Sequence, residues 1–304
     1  MLYATDIITF YHPQFWGLGT SQELDEWVAA NPDRFWDRVM GALVESGVTG
    51  LELTFGYGSI ANVLKTFGSG KAFLKDLQAR GLTIVSAFVA DAPGWLSATD
   101  IGPIVADAEA RAAFLVEAGA QMLVTGLPSR RTLGERPPLF IDMRFMSKMA
   151  DIAHLVGEAL GRMGVRLLVH TESNSVLWFE RDIDLFMSLT DPRYVWLCPD
   201  SCHITLGGGD PVAVARRHAQ RIALAHWKDA VGPMPRDLVI DQTIWSQQQR
   251  FMAEMGRGVV HWTAWAEAQR DTPGKDIVLI ELDEAVDPVE ALRAGKRIAA
   301  SALG

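Results

Sequence analysis

Four side chains able to hold a metal ion stand at the ends of four successive apolar runs. RLLVHTE (166–172) ends in Glu172, YVWLCPD (194–200) in Asp200, RIALAH (221–226) in His226 and DIVLIE (276–281) in Glu281. Three carboxylates and one imidazole form a hard, oxygen-rich donor set. It suits Mn²⁺ first, and Mg²⁺ or Co²⁺, better than a thiolate-type zinc site. One carboxylate at a strand end is commonly a helix N-cap or an ion-pair partner. Repetition over four consecutive runs is what points to an ion. Cys198 and Cys202 flank Asp200, but CPDSC has no second cysteine pair, and Cys198 reads as packing on the same side as Asp200.

A second tier surrounds this set. Lys228, two residues beyond His226, could stabilise an oxyanion or carry a proton; its plain alternative is a solvated loop lysine. His170 alternates onto the face of Glu172, as a pocket residue or as a buried hydrogen-bonded histidine. Glu52, on the second run, is a candidate for a substrate hydroxyl or a barrel ion pair. His12, Trp16 and Trp95 follow the first and third runs and are candidate pocket walls.

The elements that must position these groups alternate regularly. Apolar runs at 4–10, 50–54, 82–88, 120–126, 166–172, 194–200, 221–226 and 276–281 have the near-continuous apolar character of parallel strands covered on both faces. Helical patterns at 32–45, 60–80, 105–118, 140–163, 180–189, 211–220, 261–270 and 288–300 lie between and after them. Eight strands alternating with eight helices predict a single-domain (β/α)₈ TIM barrel over residues 1–304, with an open doubly wound sheet as the rival. In such a barrel catalytic groups sit at the C-terminal ends of the strands. The long stretch after the seventh strand, 231–258, is expected to form a lid or partner-facing flap over that end, with a surface excursion packed on the outer helices as the plain alternative.

Composition excludes several classes. The chain has 304 residues, 49% apolar and 21% charged, which is not a disordered composition. Lys and Arg number 28 against 37 Asp and Glu, a net charge of −9 that opposes binding to a nucleic-acid backbone. No apolar run has the length of a membrane span, and MLYATDIITF lacks the basic flank of a signal peptide. Two cysteines cannot make a disulfide framework, so a cytoplasmic protein is expected.

The stretch YVWLCPDSCHITLGGGDPVAVARRHAQRIALAHWKDA (194–230) resembles the xylose-isomerase-like sugar isomerase/epimerase superfamily, continued by GRGVVHWTAW (256–265) and IVLIELDEA (277–285). It is similar to the inosose dehydratase pattern of Asp-x-x-His, GGDP and His-x-Lys-Asp. At position 172 the chain has Glu, as the keto-sugar 3-epimerases and 2-keto-myo-inositol isomerase do, where the dehydratase pattern is His-rich. The resemblance implies a metal set of Glu172, Asp200, His226 and Glu281. It also implies that His203 binds substrate beside the metal, with a loop histidine as the alternative.

The activity implied is a divalent-metal-dependent isomerase or epimerase acting on a keto-sugar or keto-cyclitol. An ion chelated by adjacent carbonyl and hydroxyl oxygens acidifies the neighbouring C–H and stabilises an enediolate. Glu172 and Glu281 would carry the proton, and in an elimination His203 or Lys228 would assist the leaving group. The alternative is a lyase of the same superfamily: inosose or 3-dehydroshikimate-type dehydration, or elimination from a 3-keto-glycoside. An endonuclease IV-like repair enzyme and a non-catalytic sugar-binding barrel are the rivals from other classes. The first is opposed by the charge and the small number of strand-end histidines, the second by the four ligands. The expected partner is a small sugar or cyclitol, with neither nucleic acid nor membrane. Members of this superfamily are often dimers or tetramers, so a homo-oligomer is an expectation without an interface.

Overall fold

Eight short strands run parallel, and their polar ends converge on one face. The computed structural model describes residues 1–304 apart from 91, 93, 131–139, 239 and 241–242. The strands are β1 (Leu2–Asp6), β2 (Gly50–Leu53), β3 (Thr83–Val89), β4 (Met122–Gly126), β5 (Arg166–His170), β6 (Val195–Cys198), β7 (His226–Trp227) and, last in the chain, β10 (Ile277–Ile280). Neighbours follow the order β6-β5-β4-β3-β2-β1-β10-β7. Parallel bridges Leu197↔Ile222 and Asp200↔His226 bring β7 back to β6, so the ring is nearly closed. This is a single-domain TIM barrel. Two further strands, β8 (Asp229–Ala230) and β9 (Met252–Ala253), form a separate antiparallel pair. Among the described residues no helix is long and apolar enough to cross a membrane.

The barrel is a packed core, as side-chain layering demands. Ala4, Val85, Val124, Leu168, Cys198, Leu224 and Leu279 form an apolar plug inside it. Gly50 completes that layer because a Cβ there would sit 2.7 Å from the Ala4 Cβ. A larger cluster fills the space between sheet and helices, including Trp36, Phe73, Phe186, Trp227 and Trp265.

Strand side chains alternate with period two, so on six of the strands the residue two beyond the plug layer also points inward, one layer higher. Ala4 leads to Asp6, Gly50 to Glu52, Leu168 to His170, Cys198 to Asp200, Leu224 to His226 and Leu279 to Glu281. An apolar plug therefore carries a polar layer.

The element boundaries depart from expectation where side chains cap the backbone. The first strand stops at Asp6 rather than running to residue 10, because Asp6 Oδ1 accepts the Ile8 N–H at 2.6 Å and opens a 3₁₀ turn over Ile7–Phe10. The helix expected over 60–80 is two helices, Ile60–Phe67 and Gly70–Ala79. Gly68 takes the left-handed region at φ 80° and Ser69 caps the second. Helix Ser21–Ala30, unforeseen, begins at a capping box of Thr20 and Glu23.

After β7 the chain forms a flap. Its strands β8 and β9 enclose the helix Ile244–Gln249, seated on a small apolar cluster of Trp178, Cys202, Leu206, Ala230, Met234 and Ile244. The buried Asp229 carboxylate ties its base together. It accepts the N–H groups of Ala230 at 2.9 Å, Gly256 at 2.8 Å, Gly258 at 3.0 Å and Val260 at 3.1 Å. Gly258 is required there, since a Cβ would meet Ala230 O and Asp229 Oδ1 at 2.2 Å.

Candidate active site

The strand ends open into a cavity of about 420 Å³. Its lining includes Asp6, His170, Glu172, His203, His226, Lys228, Glu281 and Asp283, with Phe55, Phe88, Trp245 and Gln248 above them.

Four buried residues, His170, Asp200, His226 and Glu281, bring one ligand atom each to within 4.8 Å of one another. Glu172, expected in this set, is not among the four. The reason is the layer: β5 ends at His170, two residues beyond plug residue Leu168, and Glu172 stands two residues further out. Glu172 instead lies between two histidines, with Oε2 3.2 Å from His170 Nδ1 and Oε1 3.1 Å from His203 Nε2. It lines the same cavity one step above the four.

The four fit a metal ion. Both ring nitrogens of His170 and of His226 are buried without an aligned hydrogen bond, as is Asp200 Oδ2. Such atoms are costly to leave unpaired. His226 Nδ1 lies 2.5 Å from Glu281 Oε2, but the pair is a close contact rather than an aligned hydrogen bond. Asp200 presents Oδ2 because its other oxygen is engaged: Oδ1 accepts the His203 N–H at 2.8 Å and caps helix Ser201–Leu206. The Asp-x-x-His spacing is thus an N-cap that also turns His203 into the cavity.

Electrostatics hold the carboxylates ionised. Burial alone would raise Glu281, but Lys228 and His226 hold it well below its ordinary value. Burial opposes the ionisation of Glu172 and Asp200 as well; His203 and His170 outweigh it in both. His170 is pulled down by burial, yet the Asp200 and Glu172 carboxylates push it up to about 9 in the absence of an ion. Lys228 Nζ lies 2.7 Å from Glu281 Oε1 and 2.8 Å from Asp283 Oδ1. These carboxylates overcome its burial and keep it cationic. Burial leads the shift of Asp283, raised to about 7. Burial lowers His203, outweighing Glu172.

The remaining candidates divide by layer and side. Glu52 is buried beneath the cavity, accepting from Ser86 Oγ at 2.5 Å and reaching 3.1 Å from His226 Nε2. It stands beside the imidazole and does not line the cavity. His12 caps a 3₁₀ turn by accepting the Gln14 N–H. Trp16 stacks on Phe35 and donates its indole N–H to Phe10 O. Trp95 lines a different cavity, over residues such as Ile104 and Val156. None of these four residues lines the site.

Asp6, Asp283, Ser173 and Gln248 were not foreseen. Asp6 was readable as a residue two beyond Ala4, and Asp283 as two beyond Glu281. The other two gave no signal. Ser173 Oγ contacts His203 Nδ1 at 2.8 Å and donates to Gln248 Oε1 at 2.6 Å, which ties the flap helix to the site.

Known proteins share this architecture. Residues 40–301 match the family model described as xylose isomerase-like TIM barrel. An inosose dehydratase of Geobacillus thermodenitrificans is 26% identical over 205 residues, 64% of this chain and 63% of that protein. The rhizopine catabolism protein MocC of Rhizobium meliloti is 38% identical over 89 residues, 29% of this chain and 26% of that one. The matches thus span less than two thirds of these relatives' length. The solved structure of an IOLI protein with a bound zinc atom superposes with a TM-score of 0.72 at 12% identity, covering 100% of this chain and 98% of that one. A probable 3-DHS dehydratase, AsbF, of Bacillus anthracis superposes at 0.70 with 16% identity, covering 99% of each chain. At these identities the superpositions show a shared fold. With 40–301 matched to its family model, this chain is a member of the xylose isomerase-like TIM barrel family.

Proposed function

We propose that this protein is a divalent-metal-dependent lyase that eliminates water, or another oxygen leaving group, from the position β to the carbonyl of a keto-cyclitol or keto-sugar. Held by His170, Asp200, His226 and Glu281, a divalent ion would polarise the carbonyl as a Lewis acid. Two imidazoles in the set favour Mn²⁺, Co²⁺ or Zn²⁺ over Mg²⁺.

One observation carries the choice of elimination: only one of the two glutamates is free of the ligand layer. Glu281 is engaged by His226 and Lys228, whereas Glu172 sits ionised above the four beside His203. Proton transfer at both faces of one carbon, as epimerisation needs, asks for two such bases. A single base beside an imidazole suits removal of a proton and its delivery to a neighbouring oxygen. Glu172 takes the proton next to the carbonyl. His203 relays it to the departing hydroxyl, so that the substrate loses H and OH as one water. Lys228 presents its ammonium to the oxygen that gains negative charge. The names of the relatives, inosose dehydratases, support the same reading.

Incubating the metal-loaded protein with 2-keto-myo-inositol in D₂O tests it. Elimination gives an unsaturated ketone and loss of water from the substrate mass. Deuterium in recovered or rearranged keto-cyclitol, with no unsaturated product, would instead assign isomerase or epimerase chemistry.

A further inference from the structure

The cavity has two zones of different chemistry. Its floor is charged, and its mouth carries Phe55 and Trp245, which remain 45% and 44% exposed. They come from different elements: Phe55 follows β2, and Trp245 lies on the flap helix. Trp245 is the one exposed tryptophan of the ten, and among the described residues it makes no ring–ring contact and no indole hydrogen bond. Trp16, Trp178 and Trp227 each stack on another aromatic ring. Two exposed aromatic rings lining one polar cavity are surface that a ligand can cover.

The backbone that carries each ring is held in place. The Tyr11 hydroxyl donates to the Phe55 carbonyl and accepts the Gly58 N–H at 2.6 Å, fixing the turn that carries Phe55. Trp245 is flanked by buried Ile244 and by Gln248, which accepts from Ser173 and from Asn174 Nδ2 at 2.7 Å. Rings carried on a fixed backbone lose less entropy than rings on a mobile one when a flat group is laid on them. With the polyol seated on the floor, the mouth takes whatever projects from it.

We infer that the substrate is a keto-sugar bearing an aromatic substituent, its polyol on the floor and its aryl group against Phe55 and Trp245; this rests on the keto-polyol reading above. Titration calorimetry of the Mn²⁺-loaded full-length chain tests it with three probes: 2-keto-myo-inositol, methyl β-D-glucopyranoside and phenyl β-D-glucopyranoside. Neither glucoside carries a carbonyl, so binding is read without turnover. The phenyl compound should bind about five- to tenfold more tightly than the methyl one. Trp245→Ala combined with Phe55→Ala should bring that ratio close to one, with affinity for 2-keto-myo-inositol unchanged. Equal affinities for the two glucosides, or a preference that survives both substitutions, would overturn the aromatic subsite while leaving the keto-polyol reading standing. Failure of all three probes to bind would overturn that reading and the subsite with it.

Discussion

Ser173 Oγ donates to Gln248 Oε1 at 2.6 Å, joining the loop after the fifth barrel strand to the flap that follows the seventh. The same hydroxyl contacts His203 Nδ1 at 2.8 Å, so the flap and a cavity imidazole share one hydrogen-bonded chain. Flap seating and imidazole orientation are therefore coupled.

Gln248→Ala should loosen the flap without touching the four residues proposed to hold the ion. The expected outcome is faster proteolytic cleavage within 231–258, unchanged metal content and turnover reduced by about ten- to a hundredfold. Turnover at the wild-type level with a protease-sensitive flap would separate flap seating from chemistry.

Asp229 anchors the base of the same flap through four backbone N–H groups. Asp229→Ala leaves those donors without the carboxylate, two of them, Ala230 and Val260, buried, at a cost of about 2 kcal/mol or more. Thermal and denaturant unfolding should show it; a loss under about 1 kcal/mol would mean that water replaces the carboxylate.

The histidines give metal removal a pH signature. In the metal-free protein His170 titrates near 9, above the usual histidine value of about 6.5. A folded-state pKa raised in this way adds stability that is complete below the unfolded value and is lost as pH rises through the folded one. The chelator-treated protein should thus lose melting temperature between about pH 7 and pH 10. The metal-loaded protein, whose ligand imidazoles are already neutral, should not share that loss. Binding at neutral pH should also release protons, measurable by calorimetry in buffers of different ionisation enthalpy. A metal-free melting temperature that stays level or climbs through this window would contradict the protonated-histidine state.

All eight barrel strands were legible because parallel strands covered on both faces leave near-continuous apolar runs, such as DIVLIE before Glu281. The polar layer at the strand ends was legible only in part. Asp200, His226 and Glu281 coincide with the ends of their runs. In the fifth run the last polar residue, Glu172, lies one layer above its ring. Counting two residues beyond the plug residue Leu168 leads to His170. Trp16 was beyond reach for a different reason: its stacking on Phe35 depends on how the first helices fold back, which no local pattern records. The Gln248–Ser173 link spans 75 positions, from the loop after the fifth strand to the flap helix, and no local pattern records which side chains meet across that separation.

The central claim is that the ion is held by His170 and not by Glu172. Metal content and affinity of the purified His170→Ala and Glu172→Gln variants, measured by elemental analysis and Mn²⁺ titration, test it most directly. The predicted result is one tightly bound ion per chain in the wild type and in Glu172→Gln. Affinity should be weakened by more than about tenfold in His170→Ala, and turnover should be lost in both. Loss of metal from Glu172→Gln with full retention in His170→Ala would contradict the assignment.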